Sequence, residues 1–166
     1  LKKWEKYDVY WLEEPVPPED VPGYAAVRAR AGKTYIVGGE QHVGVSEFRT
    51  LLEHKAVDIV QPDAHTTGGI TEWLRISNLA RAFNVPVSPH ALQVIHIHMA
   101  VALSNIMWIE YFMPDNPLDD FMGHLFKQPK LRETKTSEGV FLLPPERPGL
   151  GIELDEAFAA QTLVKE

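Results

Sequence analysis

Short β-rich runs alternate with longer helical patterns over the first 111 residues, and this alternation constrains the fold more than any other feature. It is typical of repeated βα units that build a parallel sheet. Each run is almost continuously apolar, as expected for a strand that is buried on both faces. The sequence therefore predicts an α/β fold with five parallel strands, at Val9–Leu12, Tyr35–Val37, Val57–Val60, Val85–Val87 and Ile106–Ile109.

Apolar residues at helical spacing fill the gaps between these runs. Tyr24, Val27 and Ala31 predict one helix, and Gly32 stands where a left-handed residue would end it. Three more helices are predicted: one capped at its start by Ser46, one along the stripe Trp73, Ile76, Ala80 and Phe83, and a buried one from Leu92 to Leu103.

The pattern changes after Tyr111, where prolines accumulate. Six of the thirteen prolines lie between Pro114 and Pro148, and only short strand-like pieces remain, Val140–Leu143 and Ile152–Leu154. We therefore divide the chain into a partial (β/α) barrel, residues 1–111, and a C-terminal tail, residues 112–166, that completes the packing of the barrel.

Composition excludes several classes of protein. Sixteen Lys and Arg against twenty-three Asp and Glu give a formal charge of −7, and no basic stripe is present, so a nucleic-acid partner is not expected. The absence of cysteine excludes disulfides and thiolate metal sites. No stretch approaches ~18 uninterrupted apolar residues, so we expect no membrane partner and a cytoplasmic location.

An ionisable residue follows each of the five predicted strands, at intervals of 27, 23, 27 and 20 residues. In a parallel barrel the ends of the strands meet at one rim, and catalytic groups come from several of these ends. Any one of them alone is also explained as a solvated loop acid or a helix cap. The five residues are Glu13, Glu40, Asp63, His90 and Glu110.

Four carboxylates and one histidine at the mouth of an apolar barrel are costly to desolvate unless a cation or a substrate compensates them. Carboxylate ligands favour a hard ion such as Mg²⁺ over Zn²⁺. His42 follows Glu40 closely enough to reach the same rim and is predicted to contact substrate. His96 and His98 lie two apart on a predicted helix and would not face each other, which argues against a zinc pair.

Ordered motifs along nearly the whole chain resemble the enolase superfamily, mandelate racemase subgroup. Within that subgroup, several segments are most similar to acid-sugar dehydratases of the L-rhamnonate dehydratase type. The segments that carry the resemblance are Trp11–Pro15, Gly39–Glu40, Asp58–Asp63, Gly68–Thr71, Ser88–His90, Trp108–Glu110 and Pro148–Asp155, with Pro17–Pro18, His42, Phe48–Leu51 and Val87 for the finer match.

The resemblance implies a role for each strand-end residue. Glu13 and Glu40 match two of the three carboxylates that bind Mg²⁺ in the superfamily, and Asp63 and His90 match its His–Asp dyad. Glu110 matches the acid that hydrogen-bonds the substrate carboxylate or the intermediate. The implied reaction removes the proton α to a carboxylate, stabilises the enediolate beside the metal, and eliminates the β-hydroxyl to give a 2-keto-3-deoxy acid.

The same resemblance implies that this chain is the C-terminal part of a TIM-like (β/α)7β barrel, roughly strands four to eight. The third metal carboxylate, a lysine base and an N-terminal cap domain are expected upstream, and the tail is expected to pack toward that cap. We expect the upstream half to be needed for activity and for covering the open strand edge around Val9–Leu12, and we expect a homo-oligomer.

Two alternatives stay open from the sequence. A racemase, epimerase or cycloisomerase would use the same metal and the same enediolate chemistry. A non-catalytic barrel subunit or binding module would keep the fold without the reaction.

Overall fold

A computed structural model describes residues 3–113, 116–117, 124–127 and 131–164. The chain divides into two compact units, one formed by Leu1–His90 with Leu103–Glu110 and the other by Ala91–Ala102 with Tyr111–Glu166. No helix within the described ranges combines the length and the apolar character that crossing a membrane requires.

A parallel sheet forms the centre of the first unit. Its strands are β1 (Trp11–Glu13), β2 (Tyr35–Gly38) and β3 (Ile59–Val60), in the order β1-β2-β3. Leu12 lies opposite Ile36, and Val37 lies opposite Ile59. The expected parallel arrangement of these three strands is confirmed.

The fourth and fifth predicted strands are reduced to single parallel bridges. Val87 bridges Val60 on one side and Ile106 on the other, so the order of the sheet continues as expected. The ladder around Val87 is short because Pro86 has no N–H to donate, although its carbonyl accepts a bond from Val60 N–H.

Helices connect the strands of this unit, after a short 3₁₀ turn at Glu5–Tyr7. The Asp20 side chain caps the first helix by accepting a bond from the N–H of Gly23. The predicted cap at Ser46 is wrong, because the second helix begins two residues earlier and the Glu47 carboxylate accepts from the N–H of Val43. The helices are α1 (Val21–Arg28), α2 (Gly44–Glu53) and α3 (Ile70–Ala82).

The core of the first unit lies between the sheet and these helices. Fully buried side chains come from both layers, and burial of each large one contributes about 1.5–3 kcal/mol. Phe83, predicted on the apolar stripe of α3, instead caps the C-terminus of that helix and is 40% exposed. The buried residues are Tyr24, Ile36, Val37, Phe48, Leu51, Ile59, Val60, Trp73, Ile76, Ala80 and Val87.

The second unit contains one buried helix and an antiparallel hairpin. Helix α4 (Gln93–Ala102) confirms the helix predicted between Leu92 and Leu103. Strands β4 (Arg132–Thr136) and β5 (Gly139–Leu143) form the hairpin. Ile152–Leu154 contributes only the bridge from Leu154 to Phe126, and a further helix, α5 (Glu156–Thr162), follows it.

Candidate active site

The parallel pairing of the first unit brings the five strand-end groups to one edge of the sheet. Glu13 is the last residue of β1, Glu40 lies two residues beyond β2, and Asp63 lies three residues beyond β3. His90 and Glu110 follow the bridging residues Val87 and Ile106. Because the carboxyl ends of parallel strands point the same way, side chains that are far apart in sequence meet here.

His90 is the centre of this group. Its Nδ1 lies 2.9 Å from Asp63 Oδ2, and its Nε2 lies 3.3 Å from Glu40 Oε2 and 4.0 Å from Glu110 Oε2. We call these four residues the His90 cluster. Since Nδ1–H donates to Asp63, the other ring nitrogen is the one that faces the two glutamates.

Both carboxylate oxygens of Asp63 accept hydrogen bonds. Oδ2 accepts from the His90 ring, and Oδ1 accepts from the backbone N–H of His65 at 2.6 Å. The Asp63 carbonyl also accepts from the backbone N–H and the hydroxyl of Thr67. These contacts fix the orientation of the carboxylate, so Asp63 holds the imidazole in one tautomer.

The strand end that carries Asp63 is anchored to the helix layer. The carbonyl of Pro62 accepts one bond from Trp73 Nε1–H, at 2.8 Å, and a second from the backbone N–H of His90, at 3.3 Å. Trp73 lies on α3 and is fully buried. A single carbonyl therefore links the core of the helix layer to the backbone of His90.

The charges of the cluster change the proton affinity of His90. The hydrogen bond that His90 donates to Asp63 is the main cause, and the charges of Glu40 and Glu110 add to it against the effect of burial. Together they raise the pKa of His90 to about 9 from the ordinary 6.5. The ring therefore carries a proton at neutral pH.

Glu13 and Glu40 form a close pair of carboxyl groups. A side-chain interaction with Glu13 is one of the causes that raise the pKa of Glu40. Burial is the main cause that raises the pKa of Glu40 to about 7; His90 lowers that pKa, and Glu14 and Glu13 raise it further. A hard divalent cation fits this oxygen donor set, because its positive charge would offset the charges of two neighbouring carboxylates.

The described residues hold no group of three or more acidic or histidine side chains arranged to bind a metal ion. Two carboxylates are what the resemblance assigned to this chain, and Mg²⁺ is often held by one or two protein carboxylates together with water and substrate. The residues that are present therefore fit part of a Mg²⁺ site.

A cavity of about 570 Å³ opens beside these groups in the first unit. Glu13, Glu110 and Trp108 line it, together with two side chains that are 99% buried, Gln61 and Ser88. In the part of the chain that the structure describes, Gln61 Oε1 and Ser88 Oγ have no hydrogen-bond partner. The cavity thus combines a largely apolar, aromatic wall with the carboxylates of Glu13 and Glu110.

No site role was predicted for Trp11, Gln61, Ser88 or Trp108, although each lies in a segment that carries the family resemblance. Each lies two residues before a strand-end group, namely Glu13, Asp63, His90 and Glu110. Trp11 and Glu13 both lie on β1, where side chains two apart share a face. The strand period therefore carried a signal for Trp11.

His42 lies apart from the His90 cluster. It is 95% buried, lines a different cavity of about 300 Å³ with Pro18 and Glu47, and packs its ring 5.8 Å from that of Phe48. Burial lowers the pKa of its imidazole. Contact of His42 with substrate stays a prediction.

Two other histidines on α4 bind backbone groups of the second unit. A ring nitrogen of His96 lies 2.7 Å from the carbonyl of Ala91, and one of His98 lies 3.0 Å from that of Leu150. These contacts give each histidine a structural role.

Comparison with known proteins gives the family. The model of the enolase C-terminal domain-like family matches residues 1–158. An L-rhamnonate dehydratase of Saccharopolyspora erythraea is 36% identical over 152 residues, which are 90% of this chain and 38% of that protein. An L-talarate/galactarate dehydratase of Salmonella typhimurium is 33% identical over 155 residues, which are 93% of this chain and 36% of that protein.

A solved structure agrees with these sequences. The L-talarate dehydratase of Polaromonas sp. JS666, complexed with Mg and L-glucarate, matches with a TM-score of 0.78 and 32% identity. The match covers 96% of this chain and 41% of that one. The chain therefore has the fold of the C-terminal barrel portion of such enzymes and spans less than half of their length.

Proposed function

Because this chain belongs to the enolase C-terminal domain-like family, we propose that it supplies the C-terminal half of the active site of a Mg²⁺-dependent dehydratase that acts on a sugar acid. The observation that carries this proposal is the position of His90, between Asp63 on one ring nitrogen and Glu40 and Glu110 on the other. The names of the relatives, rhamnonate and talarate/galactarate dehydratases, support the reaction class.

Glu13 and Glu40 would hold the metal ion. The raised pKa of Glu40 indicates that the two carboxylates repel each other when both are ionised. When bound, Mg²⁺ supplies the positive charge that stabilises the enediolate formed by loss of the proton α to the substrate carboxylate. The relative from Polaromonas was crystallised with Mg and a sugar diacid, which supports this choice of ion.

His90 would act as the general acid of the elimination step. Its Nδ1–H is committed to Asp63, and this bond is the main cause that raises the pKa of the ring. The Nε2 proton is therefore the one available to the departing β-hydroxyl, which leaves as water. Asp63 orients the ring and stabilises the imidazolium.

Glu110 would bind the substrate. It lines the cavity and lies 4.0 Å from His90 Nε2, so a ligand that occupies the cavity can contact both side chains. We assign to Glu110 a hydrogen bond to the substrate carboxylate or to the intermediate. Assembly into a homo-oligomer and a cytoplasmic location remain predictions.

A racemase or epimerase is the second candidate, because the same dyad can serve it. In that reaction an uncharged His90 would exchange a proton with the α-carbon, opposite a second base. The names of the relatives, which are dehydratases, favour the dehydratase over this alternative.

The test has two arms on the intact protein. First, calorimetric titration with Mg²⁺ compares the parent with Glu40→Gln and with Glu53→Gln, an exposed glutamate of α2 that pairs with Arg49. Loss of binding only in Glu40→Gln is expected. If Mg²⁺ still binds to Glu40→Gln, or does not bind to the parent protein, a non-catalytic barrel subunit is favoured.

Second, a panel of sugar acids is incubated with the protein in D₂O. Formation of a 2-keto acid is the expected result. Exchange of the α-hydrogen without formation of a ketone would support a racemase or epimerase instead of a dehydratase. If no sugar acid of the panel gives product or exchange, both proposed reactions are contradicted.

A further inference from the structure

The carboxylate of Glu13 is held by two neutral donors that meet on a single oxygen. Trp11 Nε1–H donates to Glu13 Oε2 at 2.8 Å, and Gln61 Nε2–H donates to the same atom at 3.0 Å. Neither donor carries a charge, so both can orient the carboxylate without replacing a metal ion. Bonds of this kind to a charged acceptor are about twice as strong as bonds between neutral groups.

The two donors reach Glu13 from different directions. Trp11 precedes Glu13 by two residues on β1, so both side chains share one face of the strand. Gln61 directly follows β3, which is not the neighbour of β1, because β2 lies between them. The amide of Gln61 therefore bridges two strands whose axes lie ~9–10 Å apart.

Burial holds the amide of Gln61 in one orientation. Gln61 is 99% buried, so its amide has little freedom to reorient. A flipped amide would place its oxygen against Glu13 Oε2, and two acceptors repel each other. The orientation that donates to Glu13 is therefore the stable one.

We propose that Gln61 and Trp11 are positioning residues for the metal: by occupying Oε2 of Glu13, they direct Oε1 to the cation. This inference rests on the proposed function, because it takes Glu13 as a ligand of Mg²⁺. Outer partners of metal-binding side chains typically change metal affinity by about 10–100-fold when they are removed.

The experiment measures Mg²⁺ binding by calorimetry on the intact protein and does not depend on turnover. Gln61→Met keeps the length of the side chain but removes the donor, and Trp11→Phe removes the indole N–H. We expect each variant to weaken Mg²⁺ binding about tenfold or more, and the double variant to weaken it further. Gln41→Met is the matched control, because the amide of Gln41 donates to Glu14 instead.

Two further readouts separate positioning from a general structural role. The thermal midpoint of the metal-free protein is expected to stay close to that of the parent in Trp11→Phe. The electron paramagnetic resonance spectrum of Mn²⁺ bound in place of Mg²⁺ is expected to change in both variants, since it reports the symmetry of the ligands.

The outcomes distinguish this inference from the proposed function. If Glu13→Gln binds Mg²⁺ like the parent, Glu13 is not a ligand and the proposed metal site fails. If Glu13→Gln loses binding while Gln61→Met and Trp11→Phe keep an unchanged Kd and Mn²⁺ spectrum, only the positioning role is overturned. Should Gln61→Met fold poorly, Trp11→Phe alone decides between these results.

Discussion

At the scale of single residues, the chemistry concentrates on the two ring nitrogens of His90. One is committed to Asp63, a carboxylate whose second oxygen is also bonded, and the other faces two glutamates. This division assigns one nitrogen to orientation and leaves the other for proton transfer. Substitutions of the two dyad partners should therefore have different consequences.

Replacing His90 with Asn is expected to lower kcat by about 10²–10⁴-fold, the usual contribution of a general acid or base. Asp63→Asn should cost less, because the ring remains and loses only its orientation and part of its basicity. Steady-state kinetics on the intact protein measure both, with Mg²⁺ titration confirming that the metal site is retained. Turnover that survives in His90→Asn would remove His90 from the mechanism.

The titration of His90 can be followed directly. Its pKa of about 9 has the hydrogen bond to Asp63 as the main cause, so Asp63→Asn should move the midpoint down toward the ordinary 6.5. Nuclear magnetic resonance of the metal-free protein measures it, and His90→Asn identifies the signal. If the midpoint stays near 9 in Asp63→Asn, the bond to Asp63 is not what raises the pKa of His90.

The raised pKa of His90 also makes the stability of the fold depend on pH. The folded state holds the His90 proton more tightly than the unfolded chain, whose histidine titrates near 6.5. This residue therefore stabilises the fold fully below pH 6.5 and loses that contribution as the pH rises through about 9. Urea denaturation of the metal-free protein across this range should show a decline that is reduced in His90→Asn.

At the scale of secondary-structure elements, glycine controls how β2 leads into Glu40. Gly39 has a φ of +137°, which L side chains rarely adopt. A Cβ there would lie 2.7 Å from Phe48 Cε1 and 3.1 Å from the backbone nitrogen of Gln61. The turn that presents Glu40 to His90 therefore needs glycine at this position.

Gly39→Ala is expected to destabilise the protein by about 2–4 kcal/mol, through backbone strain and the clash with Phe48. Gly32→Ala is the control, because Gly32 also has a positive φ, +64°, but nothing lies near its Cβ position. That variant should cost only about 1 kcal/mol. Urea denaturation measures the free energy of unfolding of both variants. Equal losses of stability would show that backbone strain, and not the clash with Phe48, sets the cost.

The sequence predicted the elements whose signals are local and missed those whose signals are not. The βα alternation is confirmed because it rests on a repeated apolar period, and the parallel order of the strands places their ends at one edge of the sheet. The cap at Ser46 failed because the cap of α2 comes from Glu47, inside the helix. Strand β4 was missed because it is exposed and largely polar, so no apolar period marks it.

At the scale of the whole molecule, the sheet of the first unit has aromatic side chains at its margins. In the described chain β1 pairs with β2 alone, and Tyr10 beside it is 48% exposed. Trp108, which follows the last bridging residue, is 56% exposed. Unpaired edges with exposed apolar side chains are templates for association between chains.

The 166-residue polypeptide expressed alone is therefore expected to self-associate, despite its formal charge of −7. Size-exclusion chromatography with light scattering measures this. A folded, monodisperse monomer would contradict the expectation. Tyr10→Lys, placed at the same margin, should reduce the association because an edge lysine opposes strand pairing.

The carbonyl of Pro62, shared by Trp73 and His90, bears on how such an enzyme can evolve. His90 is anchored through it to Trp73 of α3, which is not one of the residues that line the cavity. A different side chain in place of Trp108 on the cavity wall would therefore leave this anchor of His90 in place. Within a lineage, preference for one ligand over another is then free to drift while the reaction itself is inherited intact.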